Sequence, residues 1–168
     1  MSERLVSRRW LLRGLGLFPC LTLPPVYAPT AIAHHGWSGF DQERPLYLEG
    51  RALEVKWRNP HAEVKLELSP ELRLPADLAS LPYPVQTAAV EGRALALRTT
   101  LPTRRDRVWD IELAPLPRLN QWRIEPIAVG SRIAVIGFTF SGERGDAVLR
   151  AEYLIVADRI YGLRSSPA

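Results

Sequence analysis

From Pro45 onward the polar and apolar positions follow the period of strands. Leu46 and Leu48 fall on one parity, and Leu53, Val55 and Trp57 on the other. A strand turns successive side chains to opposite faces. The phase change across Gly50-Arg51-Ala52 therefore predicts one long strand with a bulge or kink there. Arg58-Asn59-Pro60 predicts a turn. Ala62, Val64, Leu66 and Leu68 then alternate with Glu63, Lys65 and Glu67, the pattern of a half-buried antiparallel strand. The two strands form a hairpin with Asn59-Pro60-His61 at its tip. The same parity puts His61 with Glu63, Lys65 and Glu67, off the core face.

Residues 69–107 break the pattern. Pro70, Pro75, Pro82, Pro84 and Pro102 punctuate them, and only Arg93 to Thr99 reads as a strand. They are expected to form a partly ordered insertion, with Thr103 to Arg107 a solvated charge run. Trp109, Ile111 and Leu113 mark the next strand, and Pro115 to Trp122 a loop or short helix. Arg132 to Phe140 and Val148 to Ala157 are two more strands, joined by a turn over Ser141 to Asp146. Asp158 to Gly162 reads as a final turn and residues 164–168 as a tail. The first strand is long and bent, and a short connector separates the third from the fourth. That order predicts an all-β, small five-stranded OB-like barrel over residues 34–163. A small open β-sandwich is the alternative. The expected core is Leu53, Val55, Trp57, Val64, Leu66, Trp109, Ile111, Ile133, Val135 and Ile155.

Charge changes the picture only at the start of the chain. The net charge of +4 is concentrated in residues 1–33, where Arg4, Arg8, Arg9 and Arg13 face Glu3 alone. Beyond residue 33 basic and acidic residues nearly balance, so no basic stripe points to nucleic acid. Residues 1–33 read as a signal peptide. Ser7-Arg8-Arg9-Trp10-Leu11-Leu12-Arg13 has the form of a twin-arginine export signal, with a general secretory signal as the alternative. The apolar stretch that follows contains Gly14, Gly16 and Pro19 and is too short for a membrane-spanning helix. Ala31-Ile32-Ala33 supplies a small-x-small cleavage pattern, and cleavage there makes His34 the first residue. The expected destination is the periplasm. The one cysteine, Cys20, lies within the signal, so the exported chain holds itself without a disulfide.

The chemistry in the body of the chain is concentrated in His34, His35 and His61, the protein's three histidines. Neutral imidazoles are strong ligands for copper, zinc and nickel. A terminal amine on His34 adds a nitrogen beside its own ring. With His61 it offers a three-nitrogen histidine brace of the kind that binds copper, and His35 is a further donor. Against this, His34-His35 reads equally as an exposed chain start and His61 as a turn residue. Asp41, Glu43, Glu49, Glu63 and Glu67 are surface carboxylates or partners of a ligating histidine. Trp37, Trp57, Trp109 and Trp122 line either the core or a ligand face. The sequence has no G-x-S-x-G, phosphate loop or H-E-x-x-H motif, and no residue is singled out as catalytic.

Ala33-His34-His35-Gly36-Trp37 with Phe40-Asp41, then Leu48-Glu49-Gly50 and Trp57-Arg58-Asn59-Pro60-His61-Ala62, resembles an uncharacterised family of exported bacterial proteins. Trp109-Asp110-Ile111-Glu112, Val129 to Gly137 and Asp158-Arg159 extend the resemblance over most of 33–163, apart from the insertion. The resemblance implies export and a small β-fold and carries no activity.

Three functional readings follow. The first is a periplasmic copper-binding module built on the histidines, for handling or sensing. The second is an OB-like domain that engages another envelope component and binds no metal. The third is a histidine-brace copper oxidoreductase, which needs an open coordination position and a substrate surface that the sequence does not display.

Overall fold

The computed structural model describes residues 36–168, so the expected signal peptide, His34 and His35 lie outside the described residues. Six strands form one sheet: β1 (Leu46–Lys56), β2 (Glu63–Leu68), β3 (Val108–Glu112), β4 (Arg132–Phe138), β5 (Val148–Val156) and β6 (Arg159–Gly162). Their order is β3-β2-β1-β4-β5-β6, and β3 also pairs with β5 in parallel. That last pairing closes β1, β2, β3, β5 and β4 into a five-stranded barrel. It decides against the open sandwich. Beyond the reach of β3, β6 continues along the same edge of β5, pairing Val156 with Arg159 and Tyr153 with Gly162.

The phase change in β1 is a bulge. The register with β2 shifts between Ala52 and Glu54. Leu46, Leu48 and Ala52 point into the barrel before it, and Val55 and Trp57 pack toward the interior after it. The cost of the flip falls on Leu53, which was expected in the core and is instead 43% exposed. Gly50 has a separate role. A Cβ there would stand 1.9 Å from the Glu67 carbonyl oxygen, so only glycine lets β1 and β2 approach this closely.

The interior is filled by alternate residues of the strands: Val64 and Leu66, Trp109 and Ile111, Ile133 and Val135, Leu149 and Ala151, with Leu154 following the register shift of β5 at Glu152. Several of the alternate residues of β1, β4 and β5 are apolar as well. Tyr47, Ala134, Ile136, Phe138 and Tyr153 face outward and are buried under a second layer. Residues 69–107 build that layer, together with Trp37 and Phe40. Leu78 and Leu95 are its buried anchors.

Within the layer, Gly92–Arg98 is a helix, α1, where Leu95 and Leu97 had suggested a strand. Alanine, leucine and arginine are strong helix formers, and the segment has no β-branched residue. Helical geometry buries Leu95 and Ala96 and leaves Leu97 70% exposed. A second helix, α2 (Leu116–Gln121), fills the connector between β3 and β4 and buries Leu119.

Two further expectations change. Arg104 is not solvated, since its guanidinium donates to the carbonyls of Glu143 (3.0 Å), Gly145 (3.1 Å) and Asp146 (3.2 Å). Asp158 to Gly162, expected as a turn, holds β6. The segment from Arg164 onward is tied down. The Trp122 indole donates to the Ser165 carbonyl at 2.8 Å, and the Thr87 amide to the Ser166 carbonyl at 3.0 Å.

Candidate metal site

His61 follows the Asn59–Pro60 peptide, which is cis, at the tip of the β1–β2 hairpin. It has the off-core parity expected of it, opposite to Ala62, and its side chain is nonetheless only 7% exposed. Ladder pairing with β3 continues to Ala62, so alternation holds through this point and Ala62, not His61, fills the barrel core. The Leu113 amide donates to the Ala62 carbonyl and the Ala62 amide to the Ala114 carbonyl. His61 is thereby held in the body of the fold. Its Nδ1 lies 3.9 Å from Oε1 of Glu63, and Oε2 of the same carboxylate is 3.5 Å from Nζ of Lys56.

A row of side chains runs across the outside of the barrel from that carboxylate. Glu63 is the register partner of Glu112 on β3, and Glu112 that of Arg150 on β5. Register partners share a face. Glu112 is buried and pairs with Arg150 at 3.3 Å. Burial pulls the Arg150 guanidinium below its ordinary pKa, against the opposing pull of the Glu112 charge. The guanidinium carbon of Arg150 then lies 4.7 Å from the centre of the Trp37 ring. The row begins at His61 and ends two residues from His35.

Trp37 is seated from a second side by Arg164, whose guanidinium carbon stands 3.6 Å from the ring centre. Arg164 is paired with the fully buried Glu152 at 2.7 Å and donates to the Gln42 side chain at 2.9 Å. Burial pushes the Glu152 carboxyl above its ordinary pKa, and Arg164 and Gln86 act against that push. The side-chain amide of Gln42 in turn donates to the Trp37 carbonyl at 3.2 Å. The beginning of the described chain is thus bound to its end.

Of the tryptophans, Trp109 is wholly buried in the barrel, while Trp37, Trp57 and Trp122 are half-buried. Among the described residues no group of three or more histidine, cysteine, aspartate or glutamate side chains stands close enough to hold a metal. His34 and His35, two of the three expected ligands, lie outside the described residues. Sequence reasoning did not single out Glu112, Arg150 or Arg164. Arg150 and Glu112 meet only through the parallel closure of β3 on β5.

Residues 25–72 match a family of unknown function, DUF6152. The DUF6152 match spans His34, His35 and His61 together with Trp37, β1 and β2. It also includes Gly50, whose place in the motif has a structural cause in the close approach of β2. Comparison with curated proteins and with solved structures returned no match. Among the described residues no helix is long and apolar enough to cross a membrane.

Proposed function

We propose that this protein is exported to the periplasm and binds copper through His34, His35 and His61, as a module for metal handling or sensing. The observation that supports this reading is the row from His61 through Glu63, Glu112 and Arg150 to Trp37. Trp37 is seated against Arg150 at one end of that row, and His35 precedes it by two residues. Glu63, 3.9 Å from the His61 ring, is near enough to become the carboxylate partner of a ligating imidazole by a small side-chain shift. Cleavage after Ala33 gives His34 a terminal amine as well as a ring, and copper(II) favours such nitrogen donors.

The test is copper(II) titration of the exported protein, with its N-terminal residue established by intact mass. The parent binds tightly near neutral pH and loses the metal below about pH 6, where imidazoles with pKa near 6.5 take up protons. His61→Ala weakens binding at least about tenfold, or about 1.4 kcal/mol. One added residue before His34 weakens it as well if the amine is a ligand. A His61→Ala protein that binds copper as tightly as the parent overturns the single-site reading.

A further inference from the structure

The barrel closes, yet β1 keeps one open edge. β1 pairs with β4 only from Leu46 to Arg51. At Ala52 the edge is still occupied, because its amide donates to the Ser131 carbonyl and its carbonyl accepts from the Gly130 amide. From Glu54 to Lys56 the ladder partners are on β2 alone. Among the described residues, none from Leu53 to Trp57 has a backbone hydrogen bond on the β4 side.

Which groups face that edge follows from the ladder. In an antiparallel pair, alternate residues aim both N–H and C=O at the same neighbour. The Leu68 amide donates toward β3, to the Arg107 carbonyl, while the Ser69 amide donates to Glu49 of β1. By alternation Lys65 and Glu63 also face β1, where their partners are Glu54 and Lys56. Val55 and Trp57 are left with their N–H and C=O turned outward.

The edge reads Leu53-Glu54-Val55-Lys56-Trp57, apolar, acidic, apolar, basic, apolar. We infer that two copies of this chain pair through this edge, antiparallel, about a two-fold axis at Val55. The register then sets Val55 against its own copy, Glu54 against the second copy's Lys56, and Leu53 against its Trp57. A two-fold interface requires a self-complementary surface, and this one is complementary in charge at both flanking positions. The groups are accessible: the Glu54 side chain is 53% exposed, that of Lys56 44%, and Leu53 43%. Charges on an edge strand normally prevent pairing because like charges meet. Here they meet as opposites, each such cross-strand pair being favourable. A slip to an axis at Glu54 or Lys56 sets like charge against like, so the sequence selects one register. The pairing is short, and it belongs with weak, concentration-dependent contacts.

Analytical ultracentrifugation of the purified protein from micromolar to millimolar concentration tests this. The parent shifts from monomer to dimer across that range. Val55→Pro removes an N–H that the β1–β2 ladder does not use, a placement an edge strand tolerates. It leaves the β circular dichroism unchanged and the protein monomeric. Glu54→Lys, which needs no change in backbone, also gives a monomer, and adding Lys56→Glu restores the dimer by exchanging the two charges. A parent that stays monomeric at millimolar concentration overturns the inference. So does a dimer that persists in both single variants, or one that the charge exchange fails to restore.

Discussion

The guanidinium carbon of Arg164 lies 3.6 Å above the Trp37 ring while its Nε holds the wholly buried carboxylate of Glu152 at 2.7 Å. Arg164 therefore fixes Trp37, the second of the described residues. It also neutralises a carboxylate inside the fold. Stacking on the ring while pairing with the carboxylate needs a planar, forked cation, which lysine does not supply.

Arg164→Met should accordingly be among the most damaging single substitutions. It leaves Glu152 buried without its cation, a loss of about 3–5 kcal/mol. Exchanging both Arg164 and Glu152 for methionine should cost less than the single change. The pH dependence follows from the sign of the shift. Burial already raises the Glu152 pKa in the folded state, so the folded protein holds this proton more strongly than the unfolded chain. Stability from that proton is present at acid pH and is lost as pH rises through the folded value. The deficit of Arg164→Met should therefore grow from acid to neutral pH. Urea unfolding at several pH values measures it.

Glu143 should behave in the opposite sense. Burial alone would raise its pKa, but the amides of Thr103 and Arg104, the Thr103 hydroxyl and the Arg44 charge together hold it below its ordinary value of 4.5. Its contribution is complete above that value and disappears as pH falls through the lower folded one. Glu143→Gln should lose about 1.5–3 kcal/mol at neutral pH, the usual worth of hydrogen bonds to a charged group. It should also flatten the acid limb of the stability profile. An unchanged acid limb would mean that this carboxylate does not clamp the end of the insertion.

Gly50→Ala should destabilise the hairpin that carries His61. The added Cβ meets the Glu67 carbonyl at 1.9 Å and the Leu68 Cα at 3.0 Å, both backbone atoms that move only with the strand. Overpacking of this kind costs typically about 1–3 kcal/mol. Hydrogen exchange at β1 and β2 amides should rise more than at β5.

Chelation should lower the melting temperature without unfolding the barrel. Leu46, Leu66, Trp109, Ile111, Val135 and Leu149 are fully buried with no help from the histidines. Each well-buried large side chain contributes about 1.5–3 kcal/mol. Far-ultraviolet circular dichroism before and after chelator treatment is the measurement. Complete loss of the β signal would make the metal structural.

The five strands of the barrel could be read along the chain because its interior takes every second residue. Val64 and Leu66, or Ile133 and Val135, announce themselves locally, and even the phase change in β1 foretold its bulge. The three histidines were legible as residue types. What the local pattern does not contain is a second layer. Tyr47, Ile136, Phe138 and Tyr153 lie on the outer face and are buried only because Leu78, Leu95 and Phe40 come from distant segments to cover them. The same long-range packing buried His61 on its outer position and drew Arg104 out of solvent. The row from Glu63 through Glu112 to Arg150 depends on the registers of β2 with β3 and of β3 with β5. Alternation along one strand says which face a residue takes. Which residue stands beside it on the next strand is decided only when the barrel closes.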